Sequence, residues 1–276
     1  MRCFDPTGAK HFCRPPQPSG PRTMRKLGIG VTKVARSVAE GSADFEAIRS
    51  ACISDVDRAL FLAASNYWRG CELLRVGSAH WAHVTLYYCS LYAAKALTGM
   101  FGVWIDEPFV VMEATVSLPG RQEVLVSDRR PPAGGGSHVQ FWDGFYAAGV
   151  HLAPWVQPSE QWVLGPVGGD KRTLCAARNA VNYEMDIAIE SSVVLGKSFT
   201  VGNFPKCLSG GLRTQFNVSE QLTRLAFRFA GDFSLSTAAL GGIGTGATRW
   251  RKVRDYIVLS KKPRLDKRLL RSELLT

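Results

Sequence analysis

Two histidines one helical turn apart, His80 and His83, are the first residues whose types and spacing could do chemistry. Imidazoles three positions apart share a helix face and can hold a metal ion between them. No carboxylate stands beside them in sequence, so the pair also reads as core or interface histidines. Cys3, His11 and Cys13 bring two thiols and an imidazole together near the start of the chain, but a structural zinc site needs a fourth ligand. Gly196-Lys197-Ser198 matches the end of a phosphate-binding loop. The glycine required five positions earlier is Ser191, and the segment ends a helix instead of following a strand. A helix C-cap glycine is the simpler reading. Gly242-Ile243-Gly244-Thr245-Gly246 lacks the spacing and βαβ setting of a dinucleotide fingerprint, and reads as a joint. Asp55 and Asp57 face different ways on a helix. Neither a GxSxG elbow nor an HExxH pair is present. These patterns lead us to expect no metal and no cofactor.

Charge points to a partner. The chain carries a net +11. Residues 1–36 hold eight Lys/Arg against the single acid Asp5, and residues 249–276 hold ten against Asp255, Asp266 and Glu273. A near-neutral body between two basic ends suits an anionic partner such as nucleic acid. Arg249, Arg251, Lys252, Arg254, Lys261, Lys262 and Arg264 are the candidate phosphate contacts. Solubilising tails are the alternative. The seven cysteines are scattered, odd in number and never spaced CxxC. That pattern suits reduced core thiols, and with no apolar leader in the first residues it predicts a cytoplasmic protein.

The elements follow from periodicity. Residues 1–40 are rich in Pro, Gly and Arg and predict a basic arm, with a short helix around Val31–Val38. Val56, Leu60, Ala63, Tyr67, Cys71 and Leu74 form one stripe of a first long helix from about Ala51 to Val76. Ala79 to Phe101 is apolar nearly all round and predicts a central core helix. Lys95 in its middle would cost a membrane span about 2.5–3.5 kcal/mol, so no membrane crossing is expected. Alternation from Val110 to Ser117, then Pro119-Gly120, then Gln122–Ser127 predicts a hairpin over about 109–127. Ser137 can cap a third helix, His138 to about Leu152, and Asp170 a fourth, running to about Leu195. The fourth is apolar on two faces, more than one bundle contact needs, and is therefore expected to form a homodimer interface. Ser219 begins an amphipathic helix carrying Leu222, Leu225, Phe229 and Phe233.

Two segments together carry a resemblance. His83-Val-Thr-Leu-Tyr-Tyr-Cys-Ser-Leu-Tyr-Ala-Ala-Lys-Ala-Leu97 and Arg178-Asn-Ala-Val-Asn-Tyr183, in that order, resemble the HEPN domains (higher eukaryotes and prokaryotes nucleotide-binding). The likeness covers about residues 50–196. It implies a dimerising bundle of four or five helices, here with an inserted hairpin and a C-terminal helical extension, so the fold class expected is mainly α. It also implies a cleft in which an Arg and a His, one motif repeated on two subunits, cut RNA without a metal. Arg binds phosphate and stabilises transition-state charge, while His moves protons near neutral pH. The candidate site residues are thus Arg178, Asn179 and Tyr183. This sequence departs from the motif at Tyr183, which stands where the family keeps its histidine, and no His follows His151. A phenol with a reference pKa of about 10 is a poor base at neutral pH.

The organisation expected is a basic arm (1–40), a HEPN-like bundle (41–200) and a helical extension with a basic tail (201–276). The function expected is RNA-directed, in a defence or toxin–antitoxin setting by resemblance, as a metal-independent ribonuclease using Arg178 with Tyr183 or a histidine from elsewhere in the fold. The alternative is a non-catalytic interaction module, partnered with a nucleotidyltransferase or built into a larger nucleic-acid-associated complex, where Arg178 and Tyr183 make structural hydrogen bonds. Whether His80, His83, His138 or His151 approaches Arg178 separates the two.

Overall fold

A computed structural model describes residues 1–14, 23–27, 35–106, 110–128, 137–170, 172–183, 210–233 and 235. The described chain is mainly helical, with a small antiparallel sheet.

Two helices form its spine. Helix α2 spans Ala43–Arg75, beginning eight residues earlier than its apolar stripe suggests, because Ser42 caps it: the Ser42 hydroxyl accepts from the Phe45 N–H at 3.1 Å. Helix α3 spans Ala79–Met100, close to the expected bounds. The two meet at glycines. A side chain on Gly70 of α2 would strike Leu86, and one on Gly99 of α3 would strike Val56, so the backbones approach closely at both ends of the contact. Helix α3 is buried along most of its length as a core helix, and no helix among the described residues is long and apolar enough to cross a membrane.

Further helices surround α3. They are α4 (Ser137–Leu152), α5 (Thr173–Tyr183) and α6 (Gly210–Asp232). Asp170 does not cap α5 directly; its carboxylate accepts from the Arg172 N–H at 2.9 Å, in a turn just before the helix. Helix α6 starts nine residues before Ser219, and Leu222, Leu225, Phe229 and Phe233 enter the same core as α2 and α3. It is thus a wall of the bundle as well as part of the expected extension.

The hairpin is present as β3 (Val110–Val116) and β4 (Glu123–Asp128). Arg121 N–H bonds to Leu118 O at 2.9 Å, and Gly120 sits at φ +82°, which suits glycine after proline in a turn. Two short strands complete the sheet: β1 (Arg36–Ala39) pairs with β4, and β2 (Trp104–Asp106) with β3, in the order β1-β4-β3-β2. The helix expected around Val31–Val38 is therefore corrected over its second half, where Val38 pairs with Val124; residues 31–34 lie outside the described residues.

The expected N-terminal arm is corrected over residues 1–14. They pack into the core through Phe4, Phe12 and Cys13. Asp5 caps a short helix α1 (Pro6–Phe12) by accepting from the Gly8 N–H at 2.7 Å, with Pro6 at its first turn. Phe4 N–H bonds to Phe101 O, and its ring lies against Gly102, which takes φ +73° beyond the end of α3. Two phenylalanines eight positions apart were apolar content enough to dock this segment.

Candidate functional site

The candidate site lies where α3, α4 and α5 meet. Helix α5 turns Leu174, Cys175 and Val181 inward, all buried. Arg178, three and four residues after Cys175 and Leu174, shares that face. Its guanidinium lies over the rings of Tyr87 and Tyr88 of α3, with Cζ 5.7 and 5.5 Å from the two centroids. One terminal nitrogen donates to the Tyr88 hydroxyl at 2.8 Å, and the other to Asn179 Oδ1 at 2.7 Å. Arg178 and Asn179, neighbours in the motif, are thus joined by their side chains, with Arg178 half-buried and Asn179 exposed.

His138, in the first turn of α4, occupies the same aromatic floor. Its ring stacks on Tyr87 at 5.7 Å between centroids and meets Tyr88 edge-on at 5.9 Å. Its Nδ1 is 2.8 Å from the Tyr87 hydroxyl. That hydroxyl is shared: Trp142 Nε1 donates to it at 3.2 Å, and Cys175 Sγ lies 3.3 Å away. Burial pushes the Tyr87 phenol up, and burial likewise raises the Cys175 thiol. Both stay protonated at neutral pH. Tyr92 stacks on Tyr88 one turn along α3, extending the aromatic face.

A guanidinium and an imidazole forty positions apart in sequence therefore share two tyrosine rings at a half-buried surface. This is the pairing of a phosphate-binding group with a proton carrier that acid–base phosphoryl chemistry requires. Sequence reasoning named His138 as one of four histidines that could approach Arg178 but did not place it in the site. Its only local signal was its position next to the helix-opening Ser137.

The other residues singled out by type and spacing fall elsewhere. Tyr183 is the last residue of α5, five helical steps or about 140° round from Arg178; its side chain lies outside the described residues. Arg249, Arg251, Lys252, Arg254, Lys261, Lys262 and Arg264 also lie outside them, as do Cys207 and the second half of the helix expected to reach Leu195. His83 is buried, its ring held neutral by burial with a pKa lowered to about 4. Among the described residues no group of three His, Cys, Asp or Glu is placed to hold a metal ion, and the six described cysteines are free thiols.

Comparison with protein-family models, with curated proteins and with solved structures finds no match to this chain.

Proposed function

We propose that the protein is an RNA-directed ribonuclease of the HEPN kind in which Arg178 and His138 form the reactive pair. The observation that carries this reading is their common seat on Tyr87 and Tyr88. The sequence motif ends in Tyr183 and leaves the guanidinium without its usual histidine; His138 supplies an imidazole from another helix. The reaction that suits the pair is transfer of a phosphodiester to the neighbouring 2′-hydroxyl. His138 takes the 2′-hydroxyl proton, the 2′-oxygen bonds to phosphorus, and the bond to the 5′-oxygen breaks. The 5′-oxygen takes a proton from solvent water as it leaves, and His138 returns its proton to solvent, giving a 2′,3′-cyclic phosphate and a 5′-hydroxyl end. Arg178 holds the non-bridging oxygens and balances the charge they gain. RNA is the substrate because the attacking hydroxyl is its own. Binding of RNA through the basic ends, a homodimer through residues 170–195, and a cytoplasmic defence or toxin–antitoxin role belong to the same proposal.

One observation favours a second reading. Both terminal nitrogens of Arg178 already hold protein partners, Tyr88 and Asn179, as they would in a non-catalytic interaction module. Incubation of structured and unstructured RNA with the full chain in the presence of a chelator separates the two. We expect cleavage to cyclic-phosphate ends, reduced on the order of 100-fold or more in Arg178→Ala and in His138→Ala, with melting temperatures within a few degrees of the wild type. No cleavage of any RNA, or cleavage that survives both substitutions, overturns the enzymatic reading and leaves the interaction module.

A further inference from the structure

We infer that Tyr87 and Cys175 are positioning residues that decide which nitrogen of His138 carries its proton. The catalytic consequence rests on the proposed ribonuclease reading, whereas the proton assignment rests on geometry alone. A phenol hydroxyl has one hydrogen and two lone pairs. The Tyr87 hydroxyl meets Trp142 Nε1, His138 Nδ1 and Cys175 Sγ at 3.2, 2.8 and 3.3 Å. An indole N–H only donates, so Trp142 takes one lone pair. The hydrogen and the other lone pair are divided between His138 and Cys175.

Two arrangements satisfy this division. In the first, Tyr87 donates to His138 Nδ1 and accepts from the Cys175 thiol. The neutral imidazole then carries its hydrogen on Nε2 and has no lone pair there with which to act as a base. In the second, His138 Nδ1–H donates to Tyr87, and Tyr87 donates to the Cys175 sulfur. Nε2 then holds a lone pair. The imidazolium also requires the second arrangement, because both its nitrogens are donors. Base and acid forms of His138 therefore both need the Tyr87 hydroxyl turned toward Cys175, and the sulfur is the acceptor that lets it turn. Burial keeps the phenol and thiol neutral, so the hydroxyl changes direction without either group losing a proton. Among the described residues, the titratable or charged groups facing this network are Tyr87 and Tyr88 of α3, Cys175 and Arg178 of α5, and Tyr146 and Asp143 of α4 itself; the Asp143 charge raises the Cys175 thiol after burial does.

The test is nitrogen-15 NMR of the histidines in the full chain, with the His138 signal assigned by its loss in His138→Gln. We expect the wild type to hold a measurable share of the Nδ1–H tautomer. In Cys175→Ala that share falls several-fold, and the His138 titration midpoint moves to lower pH. Cys175→Ser, whose hydroxyl also accepts, keeps both near wild type and controls for packing. The pH profile of RNA cleavage shifts with the midpoint in the same order. An unchanged tautomer and midpoint in a folded Cys175→Ala chain overturns the inference. If the wild type cleaves no RNA, the function proposal fails while the NMR result still decides this one. Cleavage with an unmoved tautomer defeats this inference alone.

Discussion

Polar groups inside this protein are treated in two opposite ways. Where α3, α4 and α5 meet, the Tyr87 hydroxyl has three partners, and Arg178 holds Tyr88 and Asn179. Elsewhere in the bundle, both carboxylate oxygens of Asp57 and Nε2 of His83 are buried with no hydrogen-bond partner. The physical consequence is written in their titration. Burial alone raises the Asp57 carboxyl to about 7, and burial alone lowers the His83 imidazole to about 4. An unpartnered buried group keeps its neutral form, since nothing returns the hydration its charge would lose. A shared hydroxyl instead divides its bonds among neighbours and fixes their orientation. Connection among helices is what separates the Tyr87 hydroxyl from Asp57 and His83, which are merely enclosed.

The largest effect that would break this contrast is at Asp57. Its folded pKa, about 7, lies above its ordinary value of 3.8. The stability it contributes is full below pH 4 and is lost as pH rises to about 7, because the unfolded chain ionises first. The gap between the folded and unfolded values corresponds to about 4 kcal/mol. Asp57→Asn should be more stable than wild type at pH 8 by up to about that amount, read from urea unfolding between pH 4 and 8. Equal stability at pH 8 would mean that the carboxylate finds a partner in solution.

His83 should give the next largest effect, with the opposite sign. Its folded pKa lies below 6.5, so its contribution is present above pH 6.5 and is lost as pH falls through 4. His83→Leu should therefore resist acid better than wild type, by about 3 kcal/mol near pH 4. In the wild type the two slopes oppose one another between pH 4 and 6.5. Each single variant should uncover the slope of the group that remains.

The partnered region should respond differently. Tyr87→Phe leaves the buried Trp142 Nε1–H without its acceptor and should cost about 1–3 kcal/mol, with a further loss at acid pH where the His138 imidazolium also loses the Tyr87 oxygen. Arg178→Ala removes one hydrogen bond to Tyr88 and two ring contacts at a half-buried position and should cost about 1 kcal/mol. A loss in Tyr87→Phe that is the same at every pH would show that Tyr87 does not stabilise the His138 imidazolium.

Much of this architecture was legible because long elements repeat their signal. Helix α3 is apolar through six turns, and the hairpin combines alternation with Pro119-Gly120. Strands β1 and β2 have four and three residues, too few to establish a period. They exist because β3 and β4 offer edges for them. Helix α1 did leave a trace, Asp5-Pro6 followed by Gly8 and Phe12, but a single capped turn is outweighed by the surrounding Pro, Gly and Arg. Arg178 was legible through a local motif. His138 was not, because its partnership with Tyr87 spans 51 positions, and no local pattern encodes which helices will face one another.

The docking of the N-terminal residues also has a consequence for the order of assembly. Residues 2–5 and 8 reach Phe101, Glu113, Ala114, Ser117, Gln122 and Ala148. During synthesis these residues leave the ribosome about a hundred positions or more ahead of every one of those partners. They must remain unplaced while α2, α3 and the hairpin are made. They close over the end of α3 only after it has formed, at the expense of a long loop. For that interval Phe4 lacks the end of α3 that it packs against, whereas Phe12, whose ring meets Phe45 of α2, can find its partner much earlier.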